Sequence, residues 1–154
     1  MTPITRRAAL ALAALLAIPL AAPPAQAGQT AAPQDARVYF IAPHDGDTVT
    51  SPVHVVFGLS GMGVAPAGTD KANTGHHHLL IDRPPLGQGP DGAAELDDPL
   101  PSDAHHRHFG GGQTETMLEL PPGRHTLQLV LGDMNHIPHN PPVVSEVITI
   151  TVGE

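Results

Sequence analysis

Downstream of position 36 the apolar residues alternate with polar ones, and this period of two is incompatible with an all-helical fold. Val53, Val55, Phe57 and Leu59 take every second place, as do Leu118 and Leu120, then Leu127, Leu129 and Leu131, then Ile148, Ile150 and Val152. Successive side chains of a strand point to opposite faces, so these runs read as half-buried strands within 53–59, 114–120, 124–131 and 145–152. Two further apolar runs, 37–41 and 77–82, read as strands. The connectors are punctuated by turn residues: Asp45-Gly46, Pro121-Pro122-Gly123, and a long Pro/Gly/Asp stretch over 84–112. No amphipathic helix is legible after the first thirty residues. Six such strands, with one more hidden in 84–112, predict an all-β, immunoglobulin-like antiparallel β-sandwich of about seven strands. Tryptophan is absent, so the core Trp of antibody domains is not expected.

The beginning of the chain has a different character. Arg6 and Arg7 precede an apolar run over 8–18, and Ala25-Gln26-Ala27 forms a small-x-small site before Gly28. Residues 1–27 therefore read as a cleaved signal peptide. The run is shorter than the ~20 residues that cross a bilayer as a helix, and no later stretch is long enough, so no membrane span is expected in the mature chain. Arg6-Arg7 also resembles a twin-arginine signal without its usual aromatic and lysine, which leaves the export route open. The expected location is the periplasm or the exterior. Residues 28–36 read as a flexible lead and 37–154 as a single domain, enough chain for one core.

Two of the seven basic residues lie in that leader, so the mature chain carries five against fifteen acidic ones, a net −10 with histidine neutral. A nucleic-acid partner is thereby disfavoured, because phosphate binding needs a basic surface. Cysteine is absent, so a metal site here must use nitrogen and oxygen ligands, with methionine as the only sulfur donor.

The chemistry lies in eleven histidines, all beyond the leader. Three clusters, His76-His77-His78, His105-His106-Arg107-His108 and His136-Ile137-Pro138-His139, stand apart from the single His44, His54 and His125. The three-residue turn at 121–123 predicts that 114–120 and 124–131 are antiparallel neighbours, so the second and third clusters share one pole of the sandwich. In an immunoglobulin-like order the first cluster joins them, and His44, His54 and His125 fall at the opposite pole. Side chains two apart on a strand point the same way, which pairs His76 with His78 and His106 with His108. The candidate metal ligands are His76, His78, His106, His108, His136 and His139, with Asp82 and Asp133 as carboxylates that orient the rings from behind. Neutral imidazoles without thiolate suit a divalent transition metal, copper or zinc, with copper favoured by the compartment alone. Met134 is the one methionine near a cluster.

Plainer readings stand beside these. A histidine triplet at a strand edge is more often hydrogen-bonded structure than a ligand set, and solvated histidines titrate as a pH-sensitive surface. His125, on the face of Leu127 and Leu129, reads as a buried structural histidine, and His54 as a surface one. Gly110-Gly111-Gly112 is not a phosphate loop, since no Lys-Ser/Thr follows; it marks close backbone packing or positive φ. No nucleophile elbow surrounds any serine.

The blocks Gly75-His76-His77-His78-Leu79-Leu80-Ile81-Asp82, His108-Phe109-Gly110-Gly111-Gly112-Gln113-Thr114-Glu115 and Leu131-Gly132-Asp133 with His136-Ile137-Pro138-His139 resemble an exported bacterial family, domain of unknown function 4399. The resemblance spans roughly 38–152 and implies motif positions, with a His-x-His block mapping onto His106 and His108, but no reaction. Three function classes follow. The first is a metal-binding module for carriage, buffering or sensing. The second is a metalloenzyme with a redox or hydrolytic site, and the third a metal-free domain that grips an envelope protein partner. The first is favoured over an enzyme.

Overall fold

The alternating runs do form strands. A computed structural model describes residues 30–90 and 92–154; the signal peptide expected over 1–27 lies outside the described residues. In chain order the elements are β1 (Arg37–Ala42), β2 (Thr48–Val49), β3 (Val53–Ser60), β4 (Gly63–Val64), β5 (Thr74–Ile81), a single helical turn α1 (Gly92–Glu95), β6 (His106–His108), β7 (Glu115–Leu118), β8 (Gly123–Gly132) and β9 (Ile148–Val152). They build two sheets, one ordered β1-β3-β7 and one ordered β2-β9-β8-β5-β4, with β6 also paired to β5. The long pairings are antiparallel; only the two-residue strands β2 and β4 run parallel to their partners. This is the expected β-sandwich, its count raised by the two short strands. No helix among the described residues is long and apolar enough to cross a membrane.

The core lies between the sheets. Val38, Val53, Val55, Phe57 and Leu118 from the smaller sheet meet Leu79, Ile81, Leu127, Leu129, Ile148 and Ile150 from the larger, all buried. Each contributes about 1.5–3 kcal/mol by leaving water, which makes this layer the main source of stability. Val53, Val55, Phe57, Leu118, Leu127, Leu129, Ile148 and Ile150 are side chains that the alternation pointed inward, whereas Val38, Leu79 and Ile81 come from the two runs without it.

Two features depart from the alternating pattern. First, β7 and β8 are not neighbours: β7 bonds to β3, whereas β8 bonds to β5 and β9. Pro121 and Pro122 have no N–H to give to a hairpin ladder, so the chain crosses here from one sheet to the other, with Leu120 buried at the crossing. Direction still reverses across the turn. Second, β5 and β8 are buried on both faces for most of their length. Their outer face is covered by the stretch after β5: Leu86 and Leu100 pack on Leu80 and Val130. Buried Gln128 anchors this cover, its Oε1 accepting from the Leu86 amide at 2.9 Å while its amide nitrogen donates to the Ser145 carbonyl at 3.2 Å. Arg83 pairs with Glu95 of α1 and closes it.

Of the lead expected over 28–36, residues from Thr30 onward lie against the domain. Asn140 N donates to Thr30 O at 3.0 Å and Ala32 N to Asn140 O at 3.2 Å. Ala32 and Ala36 pack on the core.

Candidate metal centre

His76 and His78 leave the same face of β5 because they are two residues apart on an extended strand. That is the outer face, shared with Leu80, while His77 turns inward and packs its ring on Phe57 with centroids 5.1 Å apart. β6 pairs antiparallel with β5 and sets His108 directly opposite His78. Cross-strand partners on one face have Cβ atoms about 4.5–5.5 Å apart, so these two rings are neighbours by register alone. On the other side of β5, Gly132 at the end of β8 lies opposite His76, and the turn that follows carries His136.

That turn is shaped by Asp133. Its Oδ1 accepts from the amides of Asn135 at 2.8 Å and Ile137 at 3.1 Å, and its Oδ2 accepts the Thr30 hydroxyl at 2.8 Å. The His136 amide donates to the Asp133 carbonyl at 3.0 Å, and the His136 carbonyl accepts from Leu100 N at 2.9 Å, tying the turn to the outer cover. Within it His136 has φ +69°, a left-handed conformation that a side chain makes costly. Such strain persists only where the surroundings impose it, and it is often found at functional positions.

The four rings meet. His78 Nε2 and His76 Nε2 are 2.9 Å apart, and His76 Nε2 and His136 Nδ1 are 3.1 Å apart. One ligand nitrogen from each of His76, His78, His108 and His136 lies within 4.8 Å of all the others. Four nitrogens held ~2.0–2.1 Å from one tetrahedral ion are about 3.3–3.4 Å apart, so this group could hold a single metal ion with little movement. Two glycines let the rings approach. A Cβ on Gly132 would sit 2.7 Å from His78 Nε2, and one on Gly110 would sit 2.3 Å from His108 Cε1.

Burial favours the neutral form of His76, His78 and His108. It lowers the His76 pKa to about 4, helped by the positive charges that His136 and His108 would carry and opposed by Asp133. His78 is driven down to about 2 by burial first, then by repulsion from His76, His108 and His136. His108, the most open of the four, is lowered by burial and then by His136. Neutral imidazoles with inward lone pairs are the form that a metal takes. The Nδ1 atoms of His76 and His78 are buried without a hydrogen-bond partner.

The other expected ligands lie elsewhere. His106 is on the same face as His108 but level with Leu80, one repeat away, with Nδ1 on Asp103 at 2.8 Å and Nε2 taken by Arg83. His139 is buried outside the group; its Nδ1 donates to Thr30 O at 3.2 Å, and its Nε2 faces the space over Gly75. Asp82 is at the far end of β5, where it accepts from His125 Nδ1 at 2.7 Å and Thr126 N at 2.9 Å. Asp133 does approach the group, but it holds the backbone of the His136 turn rather than a ring. His125 has both ring nitrogens bonded, as a structural histidine should, the second to Pro121 O at 2.9 Å. His54 is exposed beside Glu115. His125 thus lies at the end of β5 away from the four rings, and His44 pairs with Asp47. The two glycine spacers were half visible: Gly110 in a run flagged for close packing, Gly132 by no signal of its own. A surface groove of about 650 Å³ between β1 and residues 141–146 contains none of the four histidines.

A family model described as a domain of unknown function (DUF4399) matches residues 55–153, a span that includes all four converging histidines. No curated protein and no solved structure matches the chain.

Proposed function

The chain belongs to the DUF4399 family, and we propose that this member is an exported, periplasmic metal-binding protein that takes copper or zinc for carriage, buffering or sensing. The observation that carries this reading is the convergence of His76, His78, His108 and His136 from three separate stretches of chain. Hydrogen bonding is a poor alternative account. His76 Nε2 contacts two other imidazole nitrogens, and a neutral ring nitrogen, which either donates one proton or accepts on one lone pair, cannot satisfy both. A shared ion, taking a lone pair from each contacting nitrogen, removes that competition. Export is supported by the leader-like pattern of residues 1–27.

Four protein nitrogens fill a tetrahedral ion's coordination, whereas catalytic zinc sites keep a position for water. This favours carriage over a metalloenzyme. To test it, untagged mature protein is purified and its metal content measured by mass spectrometry, for the wild type and for His78→Ala, His108→Ala, His136→Ala and His54→Ala. The first three are expected to lower occupancy, and His54→Ala to leave it unchanged. Equal occupancy across the set would refute the assignment.

A further inference from the structure

The relative placement of the four rings discriminates between metals. Taking the metal site proposed above as its premise, we infer that the cage is built for a tetrahedral ion, zinc, and against the tetragonal geometry that copper(II) prefers. With metal–nitrogen bonds of ~2.0–2.1 Å and each ring centre in line about 1.1–1.2 Å further out, tetrahedral placement puts all six centroid separations near about 5.2 Å. A square places four near about 4.5 Å and two, the diagonals, near about 6.4 Å.

The observed separations are 4.8 Å for His76–His78, 5.1 Å for His76–His108, 5.0 Å for His76–His136, 5.1 Å for His78–His108, 5.9 Å for His78–His136 and 4.5 Å for His108–His136. His78–His136 is the only stretched pair. In a square its complement, His76–His108, would be the second diagonal, yet it is 5.1 Å. Flattening lengthens both diagonals together, so this is a tetrahedron opened along one edge. The close nitrogen contacts of 2.9 and 3.1 Å open by a few tenths of an ångström on loading.

The frame resists rearrangement. His78 and His108 are fixed by the β5–β6 ladder and His76 by the β5–β8 ladder. His136 is held in its left-handed conformation by a turn bonded at Asp133, Thr30 and Leu100. Gly132 and Gly110 lie flush against the His78 and His108 rings. Copper(II) binds flexible nitrogen sites more tightly than zinc, so selectivity for zinc must come from imposed geometry, and these contacts impose it.

The experiment loads metal-free mature protein separately with cobalt(II), zinc and copper(II). Cobalt is expected to give the intense visible bands of a four-coordinate tetrahedral ion, removed by one equivalent of zinc. Copper(II) is expected to give a rhombic, tetrahedrally distorted paramagnetic resonance spectrum. Weak six-coordinate cobalt bands, or an axial tetragonal copper spectrum, would overturn the zinc geometry and leave metal binding standing. If none of the three ions binds, both readings fail.

Discussion

Gly132→Ala tests the cage without touching a ligand. Gly132 lacks the positive φ that would make alanine costly, so the substitution is allowed by the backbone and acts by contact alone. The new methyl would lie 2.7 Å from His78 Nε2 and 3.0 Å from its Cδ2. Carbon prefers non-bonded neighbours at about 3.5–4.0 Å, so the ring must retreat by roughly 0.8 Å. Metal–ligand distances tolerate about ±0.2 Å, and a displacement several times larger detaches that nitrogen. Disturbing a shell that merely orients ligands costs about 10–100-fold in affinity, so displacing a ligand is expected to cost at least that. Overpacking adds about 1–3 kcal/mol of instability to the metal-free fold. Zinc affinity is measured by competition with a chromophoric chelator, and metal-free stability by urea denaturation. The sharper reading comes from a double-mutant cycle. In a His78→Ala background the methyl meets no ring, so Gly132→Ala should then have little further effect on affinity. Equal losses in the two backgrounds, or wild-type affinity in Gly132→Ala, would refute the contact argument.

Three more outcomes are expected. The folded-state pKa of His76 is about 4 against 6.5 unfolded, so its contribution to metal-free stability is full above pH 6.5 and falls as pH drops from there to about 4. At 1.36 kcal/mol per unit that loss is about 3 kcal/mol, read by denaturation in chelator, and a flat profile would contradict it. His125 behaves oppositely: burial lowers its pKa, but the Asp82 carboxylate and the Pro121 carbonyl outweigh that and raise it overall. Its contribution is therefore full below pH 6.5 and lost as pH rises through the raised value; Asp82→Asn should abolish this alkaline loss, and an unaltered pH profile in that variant would count against the pairing. At His136, with φ +69°, His136→Gly and His136→Ala should both weaken metal binding. Metal-free His136→Gly should nevertheless be the more stable by about 1 kcal/mol, because glycine accepts the left-handed conformation; an alanine variant as stable would remove the strain argument.

Most of the sandwich was legible because burial on one side writes a period of two. Val53, Val55 and Phe57, or Ile148, Ile150 and Val152, announced both strand and inward face. Burial of the second face leaves no such mark: Gln128 and Val130 in β8 lie under Leu86 and Leu100, a cover drawn from a stretch with no periodicity. The turn between β7 and β8 is short enough for a hairpin, but its two prolines carry the chain between sheets and the strands do not pair. The shared pole of His108 and His136 followed from chain reversal, which a crossing and a hairpin have in common. Within the clusters, the i, i+2 rule put His76 beside His78 and put His106 on the face of His108. It says nothing of competing partners, and Asp103 and Arg83 occupy the ring of His106. His139 and His136 could not be separated by spacing alone, since a left-handed residue decides which ring reaches the group.

Two kinds of support bring these histidines together, and they have different costs. Strand register places His76, His78 and His108 on ordinary extended backbone, without positive φ. Placing the fourth requires an unfavourable backbone at His136, a buried carboxylate at Asp133 and an N-terminal residue, Thr30, bonded to it. Strain at one such residue costs about 1–3 kcal/mol, a sizeable part of the 5–15 kcal/mol that separates folded from unfolded domains. Three strand-borne histidines could already hold an ion, with one position left open. The added cost of the turn is understandable if its purpose is to close that position, and a closed four-nitrogen shell holds a metal rather than reacting with it.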